Sequence, residues 1–85
     1  MKRMEGERMV EVLFFAELRD VVGKDKLTVA ADGMTITELK EKWLTSYGVE
    51  KFNVAMVAIN EEYAPDDTLV KAGDVIAFIP PVSGG

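Results

Sequence analysis

The residues best placed to do chemistry are the last six, Pro80-Pro81-Val82-Ser83-Gly84-Gly85. A run of strand-forming apolar residues, Val75-Ile76-Ala77-Phe78-Ile79, meets two prolines, and the sequence closes on two glycines. Proline has no backbone N–H and a fixed φ, so sheet pairing is expected to end at Pro80 and the following segment to be stiffened. Six residues in polyproline geometry reach about 19 Å. Glycine lacks a Cβ, so Gly84 and Gly85 fit a slot too narrow for any other residue. The pattern describes a globular body with a thin arm whose tip is a free carboxylate. A frayed end is the ordinary alternative, and two final glycines arise by chance in roughly one chain in 200. The arm gains weight only if the body fits it.

Composition narrows what the body can do. The 85 residues contain no cysteine and no histidine. That excludes disulfides, thiolate chemistry, Cys/His zinc sites and any histidine-based nucleophilic triad. No metal site is expected. Net charge is −5 and the pI about 4.6, the opposite of the basic stripe that nucleic acid or an anionic membrane surface demands. No apolar run approaches the roughly 20 residues of a membrane span, and Met1 to Arg8 lacks the apolar stretch of a signal peptide. A cytoplasmic domain is expected. Ser83 has no base near it in sequence and reads as a small tolerated residue. The pairs Glu61/Glu62 and Asp66/Asp67 sit in turn sequences and read as solvation and turn chemistry, not as an acid/base dyad. No side chain of the body is an evident reactive group.

The elements that position the arm follow from periodicity. One domain is expected over 9–79, preceded by a disordered extension over 1–8, with Met9 near its true start, and followed by the tail over 80–85. Met9 to Phe15 reads as a strand with Val10, Val12 and Phe14 on one face and Glu11, Leu13 and Phe15 on the other. Ala16 to Val22 suits a short helical turn closed by Gly23. Leu27-Thr28-Val29 reads as a strand antiparallel to the first.

Thr35-Ile36-Thr37-Glu38 is a capping box, with Met34 and Leu39 at hydrophobic-staple positions. Ile36, Leu39 and Trp43 then recur at helical spacing as a core stripe over about three turns, with Gly48 as the stop. Lys40, Glu41 and Lys42 read as its solvated face. Asn53 to Asn60, apolar on both faces, suits a central strand. A turn at Asn60-Glu61-Glu62 leads to a short extended piece at Tyr63. Thr68-Leu69-Val70 suits a brief turn under the core, and Val75 to Ile79 is the last strand. The predicted class is α+β: a mixed sheet of about five strands with one main helix, the β-grasp or ubiquitin-like pattern.

At this level the residues resemble a known family. Val12 to Arg19, the Val57 to Glu62 turn, Gly73 to Ile79 and the double-proline tail are similar to the MoaD-type sulfur-carrier subunit of molybdopterin synthase. The resemblance runs from about Met9 to Gly85. It implies that a MoeB-type adenylyltransferase consumes ATP to activate the Gly85 carboxylate. A sulfur-donor protein then converts the acyl-adenylate to a thiocarboxylate. That group would thread into a MoaE-type large subunit, in a heterotetramer, and give its sulfur to a pterin precursor.

On this resemblance the small subunit is a non-catalytic carrier that binds no cofactor. Phe15, Tyr63 and Ile79 fall at positions that form the family's apolar docking patch, and Arg19 is a candidate to meet an acidic partner residue. Core packing is the competing role for Phe15 and Ile79. Three other functions share the same tail: a ubiquitin-like modifier joined to lysines, a sulfur carrier for another pathway such as thiamine biosynthesis, and a binding domain with an inert end.

Overall fold

The structure, a computed structural model, describes residues 8–81. Strand β1 spans Met9–Phe14 and pairs antiparallel with β2, Lys26–Ala30. Helix α1, Glu17–Val22, links them and ends on Gly23, whose φ of 87° is the left-handed conformation that glycine adopts without steric cost. The main helix begins at α2, Ile36–Leu39, continues as a π-helical turn over Lys40–Leu44 and tightens to 3-10 geometry over Thr45–Tyr47. Helix α3, Val49–Asn53, follows, then β3, Met56–Ile59, β4, Glu62–Tyr63, and β5, Val75–Ile79. The sheet order is β2-β1-β5-β3-β4, with β5 parallel to β1 and antiparallel to β3. This is the expected mixed five-stranded β-grasp.

Alternation along β1 and β5 divides the sheet into two faces. Val10, Val12 and Phe14 are buried on β1, and Ile76 and Phe78 on β5. Phe14 and Phe78 are register partners, and their rings stack with centroids 6.2 Å apart and planes 9° from parallel. Phe52 of α3 meets both edge-on, at 5.9 Å and 5.5 Å. Each such ring contributes about 1.5–3 kcal/mol by leaving water, and well-oriented pairs add roughly 0.5–1.5 kcal/mol. Ile36, Leu39 and Leu44 close the core from the helix side.

Four expectations are corrected. The strand expected from Asn53 starts only at Met56, because Gly48, with a φ of 93°, ends one helix and starts another that carries Phe52 inward. Val54 is consequently an exposed residue of a turn. Phe15 lies beyond β1, which stops at Phe14. Of the Thr68-Leu69-Val70 segment expected under the core, Val70 does fill the interior but Leu69 is exposed.

Lys40 is the largest correction. Instead of facing solvent it is only 2% exposed, and its ammonium donates to Asp66 Oδ2 at 2.7 Å and Asn53 Oδ1 at 3.1 Å. Asp66 is therefore more than a turn residue. The capping box forms as expected, with Glu38 N–H donating to Thr35 Oγ1 and Thr35 N–H to Glu38 Oε1. The next loop completes the cap: Ile36 N–H donates to the Thr68 carbonyl and Thr37 N–H to the Asp66 carbonyl, both at 3.1 Å. The unpaired donors of the first helical turn are thus satisfied by a loop about 30 residues downstream in the chain.

Trp43 packs against the core from a half-buried position. Lys42 Nζ lies 5.7 Å from its ring centroid, and its buried indole N–H has no partner among the described residues.

The lysine pair yields a stability prediction. Lys40→Ala removes both the packed stem and the buried pair and is expected to cost about 2–4 kcal/mol. Lys40→Met keeps the stem and leaves Asp66, whose side chain is half exposed, to be hydrated; it is expected to cost under about 1.5 kcal/mol. Urea denaturation of both variants measures the difference, and equal losses would show that the charge matters more than the stem.

Candidate functional site

The tail is rooted where the fold leaves it least freedom. Ile79 is the last residue of β5, paired across the sheet with Met56. Pro80 then removes the donor that a further ladder step would need. Pro80 is half buried and Pro81 exposed. Val82, Ser83, Gly84 and Gly85, the expected threading segment and reactive end, lie outside the described residues. So does the expected N-terminal extension, except for Arg8, whose carbonyl accepts from the N–H groups of Ala31 and Asp32.

Around that root lies the sheet face turned away from the core. Register places Lys26, Leu13, Ala77, Ala58 and Tyr63 in one row across all five strands. The two central alanines form a low floor, and Leu13 and Tyr63 stand higher on either side. Phe15 and Ile79 rise at the tail end of the row, while Val75, Asn60 and Glu61 close the other end. The result is a mostly apolar trough of about 590 Å³.

Phe15 is 45% exposed and Tyr63 69% exposed, so core packing does not account for either aromatic. Of the four expected docking residues, three line this trough. Arg19 does not. It is exposed on the last turn of α1 and lines an adjoining hollow with Phe15 and Lys26. Leu13, Val75, Ala58 and Ala77 were not singled out beforehand. The strand alternation that puts Phe14 and Phe78 inside is the signal that identifies Leu13 and Ala77, once the β1–β5 register is known.

Both ends of the trough are held by turns with positive φ, disfavoured at Ala16 and Glu61 and well suited to Asn60. Ala16, next to Phe15, has φ 54° and ψ −130°. With the Phe15 carbonyl accepting from Leu18 N–H, this is the first central position of a type II′ turn, which glycine normally fills. At the other end Asn60 and Glu61 have φ of 53° and 73°, the two central positions of a type I′ hairpin turn. Asn60 is tied to the start of β5: its Oδ1 accepts from Val75 N–H and its Nδ2 donates to Asp74 Oδ1, both at 3.0 Å. The walls of the trough are therefore fixed by backbone geometry as well as by packing.

Among the described residues no group of three or more His, Cys, Asp or Glu is placed to hold a metal ion, and no helix is long and apolar enough to cross a membrane. The described body carries no histidine or cysteine. What it offers is a rigid apolar trough beside the root of a proline-stiffened tail.

Such a fold is the ubiquitin-like β-grasp, as a class. Residues 12–85 match the ThiS family, and the chain belongs to that family. It is 39% identical over 84 residues to the molybdopterin synthase sulfur carrier subunit of Haemophilus influenzae, covering 91% of this chain and all of that one. It is 36% identical over 84 residues to the subunit of the same description in Escherichia coli, with the same shares covered. Among solved structures it is similar to one chain of the complex of subunits 1 and 2 of molybdopterin-converting factor from Helicobacter pylori. There the identity is 30%, the TM-score 0.66, and 91% of this chain and 99% of that one are covered. It is also similar to SAMP1 from Haloferax volcanii, at 27% identity and TM-score 0.76, covering 91% and 99%.

The strained turn beside Phe15 can be tested in the isolated protein. Ala16→Gly relieves the unfavourable φ and is expected to stabilise the fold by about 1 kcal/mol net of glycine's entropy cost. That corresponds to a rise in Tm of roughly 4–8 °C for a domain of this size. A lower Tm in a calorimetric scan would contradict the strain assigned to this turn.

Proposed function

We propose that this chain is the sulfur-carrier subunit of a molybdopterin synthase, with the Gly85 carboxylate as its one reactive group. The observation that supports this most is the apolar trough at the tail root in a chain whose relatives carry that description over their full length. On this reading the reaction steps belong to partner proteins. The carrier role is cytoplasmic and needs no bound cofactor.

The chemistry follows from the carboxylate. It is a poor acyl electrophile, because attack must break its resonance and add negative charge to an anion. A partner adenylyltransferase of the MoeB type overcomes this with ATP. A Gly85 carboxylate oxygen attacks the α-phosphorus, pyrophosphate leaves, and an acyl-adenylate forms. A persulfide or sulfide from a donor protein then adds to the acyl carbon and AMP leaves. The donor's remaining sulfur bond, if any, is reduced by thiol, and the product is a Gly85 thiocarboxylate. This is covalent catalysis with the covalent group on a mobile carrier.

In the large subunit, of the MoaE type, the thiocarboxylate sulfur is transferred to the pterin precursor and water restores the carboxylate. Pro80 and Pro81 aim the arm, Val82 and Ser83 span the channel, and Gly84 and Gly85 pass its narrowest part. Phe15, Tyr63 and Ile79 seat the large subunit on the trough, and Arg19 extends that contact towards an acidic partner residue. Two carriers and two large subunits form the assembly.

A second reading has support in the similarity to SAMP1: the same activated terminus could be passed to a lysine amine. Intact mass spectrometry after incubation with ATP, an adenylyltransferase and a sulfur donor separates the possibilities. The carrier role predicts a mass gain equal to one oxygen-for-sulfur exchange at Gly85, and molybdopterin formation once precursor and large subunit are added. Isopeptide adducts without sulfur transfer would replace it with the modifier role, and an unchanged terminus would overturn both.

The trough makes a separate prediction. Phe15→Ser and Tyr63→Ser alter exposed side chains and are expected to leave folding stability within about 0.5 kcal/mol. As central aromatic anchors they are expected to weaken large-subunit binding by about 2 kcal/mol, or roughly thirtyfold. Calorimetric titration of each variant measures it; unchanged affinity would move the docking surface elsewhere.

A further inference from the structure

Glu61 is the anionic side chain at the end of the trough farthest from the tail, and the structure gives it no internal reason to be there. It occupies the second central position of the β3–β4 turn with a φ of 73°, where glycine is the favoured residue and a glutamate is strained. It lines the trough, yet it makes no ion pair or side-chain hydrogen bond among the described residues. The other charges of this region are committed. Glu11 lies 3.8 Å from Lys26, and the Asp74 carboxylate accepts from Asn60 Nδ2 and Lys71 N–H. Glu62, one residue on, pairs with Ile59 and lines the hollow behind the sheet edge with Leu69, not the trough.

We propose that Glu61 is a partner-reading residue: the segment that fills the trough is apolar along its length and carries a lysine or arginine that lands on the Glu61 carboxylate. The occupant meant is the large subunit, so the inference rests on the function proposed above and sharpens its chemistry. An apolar trough alone does not fix which way a partner lies in it. One uncompensated anion at one end does, because a reversed partner would bury its cation against Phe15 and Ile79 and leave Glu61 desolvated without a counter-ion.

The experiment uses the full chain and its cognate large subunit, with calorimetric titration at low and high salt and a thermal scan of each carrier variant alone. Glu61→Gln is expected to weaken binding about three- to tenfold and to flatten its salt dependence. Glu61→Lys is expected to weaken it more than tenfold. Glu61→Gly is expected to raise the Tm of the free carrier by a few degrees while still weakening the complex, which separates recognition from folding. Glu62→Gln is expected to bind within twofold of the parent chain.

If the parent chain binds and the Glu61 variants bind equally well with unchanged salt dependence, the reading of Glu61 is overturned and the carrier function stands. An equal loss in Glu62→Gln also overturns it, since net charge and not position would then be the cause. A parent chain with no affinity for the large subunit overturns the docking function and this inference together.

Discussion

The register between β1 and β5, locked by the stacked rings of Phe14 and Phe78, is the constraint on which the rest of the structure depends. Side chains along a strand alternate, so fixing one pair fixes the face of every other residue on both strands. A slip of β1 by one residue would turn Val10, Val12 and Phe14 to solvent and drive Leu13 into the core, while a slip of β5 would expose Ile76 and Phe78 and bury Ala77 and Ile79. Phe52, meeting both rings edge-on, makes either slip costlier, because a third aromatic would lose its contacts at once. The same lock aims the tail. β5 is the central strand, bonded on both sides, so the direction in which Ile79 delivers Pro80 is set by the whole sheet.

Packing on one face thereby shapes the other. At the middle of the sheet the core takes Val57 and Phe78, and the outer face keeps Ala58 and Ala77 as its floor. Those alanines leave a depression that Leu13 and Tyr63 border, and the depression ends beside the tail root. A partner seated there is bound next to the arm, which makes threading of a terminal group an intramolecular event at high effective concentration. Any partner that covered the depression would also remove from water apolar area that the free protein leaves exposed.

Much of this was legible in the sequence because it is encoded locally. Alternation placed β1 and β5, the Thr35–Glu38 box marked the helix start, and the double proline marked the end of the sheet. What escaped depends on partners distant in sequence. Lys40 looks like any helix-surface lysine, and only the loop carrying Asp66, 26 residues on, gives it a reason to be buried. Phe52 escaped for a different reason. Gly48 reads as a stop, and a helix as short as Val49–Asn53 leaves almost no periodic signal before the apolar run of β3. The trough was half legible: Phe15, Tyr63 and Ile79 could be named, but their convergence with Leu13 needed the parallel β1–β5 pairing, which no local pattern specifies.

The distribution of strain bears on why the trough is rigid. Positive φ at Ala16, Asn60 and Glu61 accounts for every non-glycine residue of that kind among those described, and all three stand at the trough's ends. The turns closed by Gly23, Gly33, Gly48 and Gly73 use glycine for the same backbone region without that penalty. Had the fold alone required these conformations, glycine would serve equally at the trough as it does in the other turns. A side chain in such a position has a narrow range of backbone conformations, so the loop loses less entropy when a partner packs against it. Strain of about 1–3 kcal/mol at each of Ala16 and Glu61 in the free protein is a cost to folding that the packed core must offset. In return, both turns at the ends of the trough are already in place in the free protein.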